Sequence, residues 1–215
     1  MVIQEVRVAE KVLDLKGKGI LEEARKTLDI KSLKNVKTAR VYRLEGITIS
    51  QAKLLKNTLF CEEITQISTL NKPLINNTLH LIEIGYKPGV MNPQVQSIIK
   101  SAKDLGINLI AADSSTEYGF YGKLNKKEVD LIIEKLLINK MVERVITTKP
   151  KTLLIKGKPG TTFVIKIRGM SDEELMSFSK DKLFLNLEEM KVIQNYFGKI
   201  KRDPTDCELE TIAQT

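Results

Sequence analysis

Apolar and polar residues alternate over Val2–Val8, the period of a strand with one buried face. A second, more apolar strand is predicted over Leu79–Ile84, followed by a turn, Gly85-Tyr-Lys-Pro-Gly-Val-Met-Asn-Pro93. The period then changes. Val95, Ile98, Ile99, Ala102 and Leu105 fall on one stripe of a 3.6-residue helix. Asn92 stands at its N-cap, with Pro93 at the first helical position, where a missing N–H costs nothing. Gly106 closes it as a left-handed C-cap. Two short strands are predicted next, around Asn108–Asp113 and Thr116–Tyr121. Asn125 and Glu128 have capping-box spacing and open a helix that turns Val129, Ile132, Ile133, Leu136 and Leu137 inward. Met141–Thr147 reads as a closing strand.

Residues 1–69 repeat this order of strand, helix, strand, strand, helix, strand. Gly17 and Gly19 precede a helix with Ile20, Leu21, Ala24 and Leu28 on one face. Leu28-Asp-Ile30 answers Leu105-Gly-Ile107, and Tyr42-Arg-Leu-Glu-Gly46 answers Tyr118-Gly-Phe-Tyr-Gly122. A helix over Ser50–Leu59 and a strand over Ile64–Ser68 complete the copy, all at offsets of 76 to 78 residues. A near-constant offset over several elements marks a duplication. The expected fold is therefore α/β (α+β), with two tandem units, 1–69 and 79–148, joined by a connector, 70–78. One sheet face of each copy is covered by its own helices and the other needs a partner, so the copies are expected to pair as a pseudo-dimer.

Pro150 and the Gly157-Lys-Pro-Gly160 turn open a third, mostly helical segment, 149–215. Thr162–Ile167 alternates as a strand. Ser171-Asp-Glu-Glu174 and Asn186-Leu-Glu-Glu189 are capping boxes for two helices, the second with Leu187, Met190, Ile193 and Phe197 inward. A last helix begins near Asp203 or Thr205, with Leu209 and Ile212 as its first apolar positions. It reaches only about two turns before Thr215, a length that is marginal alone. The terminus reads as a cut.

Composition narrows the classes. The 215 residues hold 42% apolar and 29% charged side chains, enough for a packed core. No apolar run of membrane-spanning length, signal peptide or acylation motif is present, so the default is a cytoplasmic protein with no membrane partner. Cys61 and Cys207 are too isolated for a disulfide framework or a zinc site. His80 lies inside an apolar strand and reads as structural. The net charge is +8, and Lys149–Arg168 holds six basic residues and no acidic one. No arginine-rich arm or aromatic RNA-binding signature accompanies them, so a solvated lysine surface is the reading and a nucleic-acid partner is not expected. Phosphate-binding glycine loops, metal-ligand spacings and nucleophile elbows are missing, so neither catalytic nor metal-ligating residues are assigned. The turn holding Lys87, Pro88, Gly89, Val90, Asn92 and Pro93 is the most distinctive loop. Its plain role is to shape a strand-to-helix connection; its sharper role is to present Lys87 and the helix start to a partner or phosphate.

Two stretches carry a resemblance. Lys87-Pro-Gly-Val-Met-Asn-Pro-Gln94, followed by Lys135-Leu-Leu-Ile-Asn-Lys-Met-Val-Glu-Arg144, resembles the small structural subunit of phosphoribosylformylglycinamidine synthase. Lys201-Arg-Asp-Pro-Thr-Asp-Cys-Glu-Leu-Glu-Thr-Ile-Ala-Gln-Thr215 resembles the end of the linker domain in the synthetase chain of that family. Only the second copy has the family turn, since Val12–Gly17 lacks Lys-Pro-Gly-Val. Asn92 and Lys140 stand where the family more often has Asp and Pro.

The resemblance implies a non-catalytic N-terminal assembly region. The parent enzyme would use ATP and Mg to activate an amide oxygen of formylglycinamide ribonucleotide, and ammonia from a glutaminase would displace the phosphate. Its partners would be the synthetase domains and the glutaminase domain or subunit, which the Lys87 turn would help dock. Arg202, Asp203, Pro204, Thr205 and Asp206 would lead the chain toward the active site. A closed ammonia route makes chemical sense, because water would protonate and dilute the nucleophile. Two other classes stay open: a basic α/β module that binds RNA or another polyanion, and a small-molecule sensor with its ligand between the copies.

Overall fold

The computed structural model describes residues 2–155, 157, 160–180 and 182–214. They fall into two compact units, Met1–Lys156 and Gly157–Thr215. The first runs β1 (Ile3–Glu10), α1 (Leu15–Thr27), β2 (Leu33–Glu45), α2 (Ile49–Leu55), β3 (Gln66–Leu70), β4 (His80–Tyr86), α3 (Pro93–Asp104), β5 (Ala111–Gly122), α4 (Lys126–Ile132) and β6 (Glu143–Val145). Helices α2 and α4 each run on into a π-helical turn, Lys56–Phe60 and Ile133–Leu137. Corresponding elements start 77 or 78 residues apart: Ile3 and His80, Ile49 and Lys126, Lys56 and Ile133, and Gln66 and Glu143 at 77, Leu15 and Pro93 and Leu33 and Ala111 at 78. A π turn is rare, and finding it at the same place in both copies supports the duplication.

All six strands form one antiparallel sheet in the order β3-β1-β2-β5-β4-β6. The two copies meet edge to edge through β2 and β5, paired from Leu33–Gly122 to Glu45–Ala111. This differs from the expectation that each copy would cover the other's open face. The pseudo-two-fold axis lies near the Ala39–Glu117 and Arg40–Thr116 pairs, whose partners are 78 and 76 residues apart. The two short strands expected around 108–113 and 116–121 are one strand, β5. Ser114 and Ser115 do not interrupt it, because both are paired into β2 and their hydroxyls have partners of their own.

The helices exchange sides across the axis. Ile20, Leu21 and Ala24 of α1 share a core with Tyr118, Phe120, Val129 and Ile132 of the second copy. Ile98 and Ala102 of α3 share one with Val6, Leu44, Leu55 and Phe60 of the first. Each copy therefore completes the other's core, which ties them more firmly than the strand pairing alone. Helix α1 starts at Leu15, earlier than the glycines suggest, and Asp14 caps it by accepting from the Gly17 N–H at 2.7 Å. Gly17 lies inside the first turn, where an added Cβ would stand 2.4 Å from the Val36 carbonyl, so the helix rests directly on β2.

The second unit packs α5 (Asp172–Lys180), α6 (Leu187–Lys199) and α7 (Asp206–Ala213) around Ile167, Leu175, Met190, Ile193, Phe197 and Leu209. The Asn186–Glu189 capping box forms as predicted, and Ser171 and Glu174 make the same reciprocal pair. The strand expected over Thr162–Ile167 is reduced to a single bridge between Val164 and Thr205, because among the described residues no second strand lies beside it. The short α7 is not left to stand alone: Leu209 is only 1% exposed within this core.

Candidate functional site

The family-like turn lies between β4 and α3. Gly89 takes φ +88°, the left-handed conformation that a glycine allows, and the Val90 N–H donates to the Lys87 carbonyl at 3.1 Å. Asn92 has two jobs. Its Oδ1 accepts from the Gln94 N–H at 3.1 Å as the cap of α3, with Pro93 in the first turn. Its Nδ2 donates to Asp113 Oδ1, the Ser114 carbonyl and Ser114 Oγ at 2.8–3.1 Å, fastening the helix start to β5. The side chain is buried; Lys87, Pro88 and Met91 are exposed.

Beside this turn is a cavity of about 310 Å³, lined by Lys87, Val90, Met91, Arg43, Arg144 and Leu153. Its far wall is the segment after β6, which crosses the sheet face that carries no helix. A buried carboxylate holds this strap: Glu45 accepts from Thr152 Oγ1 at 2.9 Å and from the Leu153 N–H at 2.6 Å. Lys149 Nζ reaches Glu5 at 2.7 Å. Lys149, the first residue of the basic run, anchors the strap through its tip while its side chain stays 72% exposed.

Under the strap lies an ionic cluster. On antiparallel strands, cross-strand partners project to one face, and Glu5 pairs in register with Arg43 and Glu83 with Glu117. The Arg43 side chain is 1% exposed and contacts Glu5 at 3.3 Å, Glu83 at 2.6 Å and Ser115 Oγ at 3.1 Å. Arg7 contacts Glu117 at 2.8 Å and Glu5 at 3.0 Å. Burial pulls the Glu5 carboxyl upward, but Lys149, Arg7 and Arg43 outweigh it and hold the group below its ordinary value. Glu117 goes the other way: burial raises it, and Arg7 offsets only part of that. Among the described residues no buried side-chain polar atom lacks a hydrogen-bond partner.

The residues Arg202–Asp206 form a corner in the second unit. Arg202 makes a two-pronged pair with Glu208, at 2.8 and 2.5 Å, and lies over the Phe197 ring. Asp203 accepts from the Arg168 backbone N–H and from Arg168 Nη2, each at 3.2 Å. The buried Pro204 accepts the Ile165 N–H through its carbonyl at 2.8 Å, and the Asp206 N–H donates to the Phe163 carbonyl at 2.8 Å. Of the two caps considered, the structure uses Thr205, in a capping box with Glu208. The hydrogen bonds from Arg202 and the Thr205 N–H lower Glu208 to about 2.

The turn residues and the corner residues are each brought together, one group in each unit. What the sequence reading misses is the wall around the turn: Arg43, Arg144 and the strap. Arg43 gives no local sign of burial; the one available signal is that Glu5, Arg7 and Arg43 all occupy the polar positions of strands. Cys61 is buried, Cys207 is exposed and both are free. His80 Nε2 rests 3.2 Å from the Leu124 carbonyl. Among the described residues no group of three or more His, Cys, Asp or Glu side chains could hold a metal, and no helix is long and apolar enough to cross a membrane.

Residues 175–215 match the formylglycinamide ribonucleotide amidotransferase linker domain family. Over 52 residues the chain is 50% identical to phosphoribosylformylglycinamidine synthase subunit PurL of Thermoplasma volcanium. It is 42% identical over 52 residues to the subunit of the same name from Thermoplasma acidophilum. Each match covers 24% of this chain and 7% of the relative, so the chain shares only a small part of the length of these proteins. The segment that contains the Arg202–Asp206 corner is thus similar to the formylglycinamide ribonucleotide amidotransferase linker domain, which supports the chain's resemblance to the N-terminal region of phosphoribosylformylglycinamidine synthase.

Proposed function

We propose that this chain is a non-catalytic assembly region of a phosphoribosylformylglycinamidine synthase. It docks a glutaminase against the synthetase domains and helps enclose the path of ammonia between them. The observation that carries the reading is the linker-domain match over residues 175–215. The corner there is held by side chains at both ends, as a segment needs to be if it is to aim the following chain. In the first unit, the exposed Lys87, Pro88 and Met91 lie beside a cavity whose rim includes Arg144, a surface of apolar contacts with the cations Lys87 and Arg144 at its edge. The cations suit a partner with acidic side chains at its rim.

ATP and Mg belong to the parent enzyme in this reading, and nothing in this segment is assigned to hold them. Purified chain is expected to bind glutaminase and synthetase domains of the family in isothermal titration and to hydrolyse no ATP. Lys87→Glu with Met91→Asp should weaken glutaminase binding by tenfold or more and leave the thermal melt unchanged. ATP turnover by the chain alone, or no binding to either partner, would overturn the proposal.

A further inference from the structure

On the helix-bearing face, the two helix pairs leave a groove near the pseudo-two-fold axis. It encloses about 550 Å³, within the roughly 300–1,000 Å³ of small-molecule sites. Its floor is β2 and its wall is a stacked pair, Tyr42 and Phe60, with ring centroids 4.2 Å apart. Arg40 and Lys16 stand over it. The Arg40 guanidinium makes no ion pair or hydrogen bond with any described residue, and Lys16 Nζ has only the face of Tyr118, at 5.0 Å. The two acids on the lining are already engaged: Asp14 caps α1 and accepts from Thr38 Oγ1 at 2.9 Å, and Glu10 accepts from Gln66 Nε2 at 2.9 Å.

The duplication supplies an internal control. Aligned element by element, on the caps Asp14 and Asn92, the left-handed glycines Gly46 and Gly122 and the two π-helical turns, the second copy has Gln94 for Lys16, Thr116 for Arg40 and Leu137 for Phe60. Gln94 there is tied to Ser114 Oγ at 2.8 Å. The fold therefore does not require cations or an aromatic ring at these positions. The groove combines two cations that pair with no acid among the described residues, an aromatic wall and the hydroxyls of Tyr42 and Thr116. Neither cation is paired with Glu10 or Asp14, and an anion in the groove would accept charge-assisted hydrogen bonds from them.

We propose that this groove is a binding site for a nucleoside monophosphate, its phosphate held by Arg40 and Lys16 and its base against the Tyr42–Phe60 wall. The proposal is independent of the assembly reading, since it uses neither the Lys87 turn nor the linker corner. The test is a titration of the full chain with AMP, followed by amide NMR shifts, with adenosine, ribose 5-phosphate and inorganic phosphate as separate arms. The expected result is saturable shifts at Thr38–Tyr42 and Thr116, with each partial ligand at least tenfold weaker than AMP. Arg40→Ala with Lys16→Ala should weaken AMP by roughly tenfold or more, the loss of a charge-assisted contact. Phe60→Leu, which copies the second repeat, should weaken AMP and adenosine and leave inorganic phosphate unchanged. An unchanged thermal melt shows that each variant is folded. No saturable shift at millimolar AMP, shifts confined to Lys149–Arg168, or equal binding of AMP and inorganic phosphate would each overturn the site.

Discussion

Arg43→Ala tests how the uncovered sheet face is held. The wild-type guanidinium is 1% exposed and binds two carboxylates, Glu5 and Glu83, and the Ser115 hydroxyl. Removing it leaves Glu5 with Arg7 and Lys149, but leaves Glu83 with Ser115 alone. Breaking a buried pair by deleting one partner costs about 3–5 kcal/mol, mostly from the charge that stays behind. Arg43→Met keeps most of the volume and still strands the carboxylates, so it should cost nearly as much. Adding Glu83→Gln to Arg43→Met should restore about 1–3 kcal/mol, because a neutral amide costs less to bury. Urea unfolding followed by tyrosine fluorescence suits the question, since four of the five tyrosines, Tyr42, Tyr86, Tyr118 and Tyr121, belong to the first unit. With a slope of about 2 kcal/mol per molar urea, the Arg43→Ala midpoint should fall by about 2 M. If Arg43→Met recovered wild-type stability, packing and not charge would be the term that matters, and the argument would be wrong.

Three further outcomes can be checked. Gly119→Ala places a Cβ 2.4 Å from Ile75 Cγ2 in the connector, which should cost about 1–3 kcal/mol in thermal unfolding and be partly relieved by Ile75→Ala. Asn186→Ala removes the capping box of α6 and should lower the stability of the second unit by about 0.5–2 kcal/mol; no change in helical circular dichroism on heating would refute the cap's role. Glu208 is depressed from 4.5 to about 2, so its contribution is full above 4.5 and is lost as the pH falls through about 2. Glu208→Gln should remove that part of the acid sensitivity of the second unit, and an unchanged acid profile would contradict it.

Caps and turns were legible along the chain because their signals are local. Asn92 with Pro93, Asn125 with Glu128 and Asn186 with Glu189 all work within one helical turn, and each cap forms. The repeat was legible for a related reason, since each copy carries the same signals at the same spacing. Less of the candidate site could be read. The Lys87 turn stood out, but Arg43, Arg144 and the Thr152–Leu153 strap join it through contacts across tens of residues. The two strands predicted around Asn108–Asp113 and Thr116–Tyr121 are one, β5, because Ser114 and Ser115 stay paired into β2 and are engaged by Asn92 and Arg43.

Local pattern settled that this chain has strands, helices and two related halves, because periodicity, caps and spacing act over a few residues. Tertiary structure alone decided that the halves join edge to edge, exchange α1 and α3 across the axis and enclose Glu5, Arg7, Arg43 and Glu117 beneath the strap. Strand pairing between distant segments has no local signature. A charged residue on a strand also reads the same in water as in a buried pair, until its partners are brought to it.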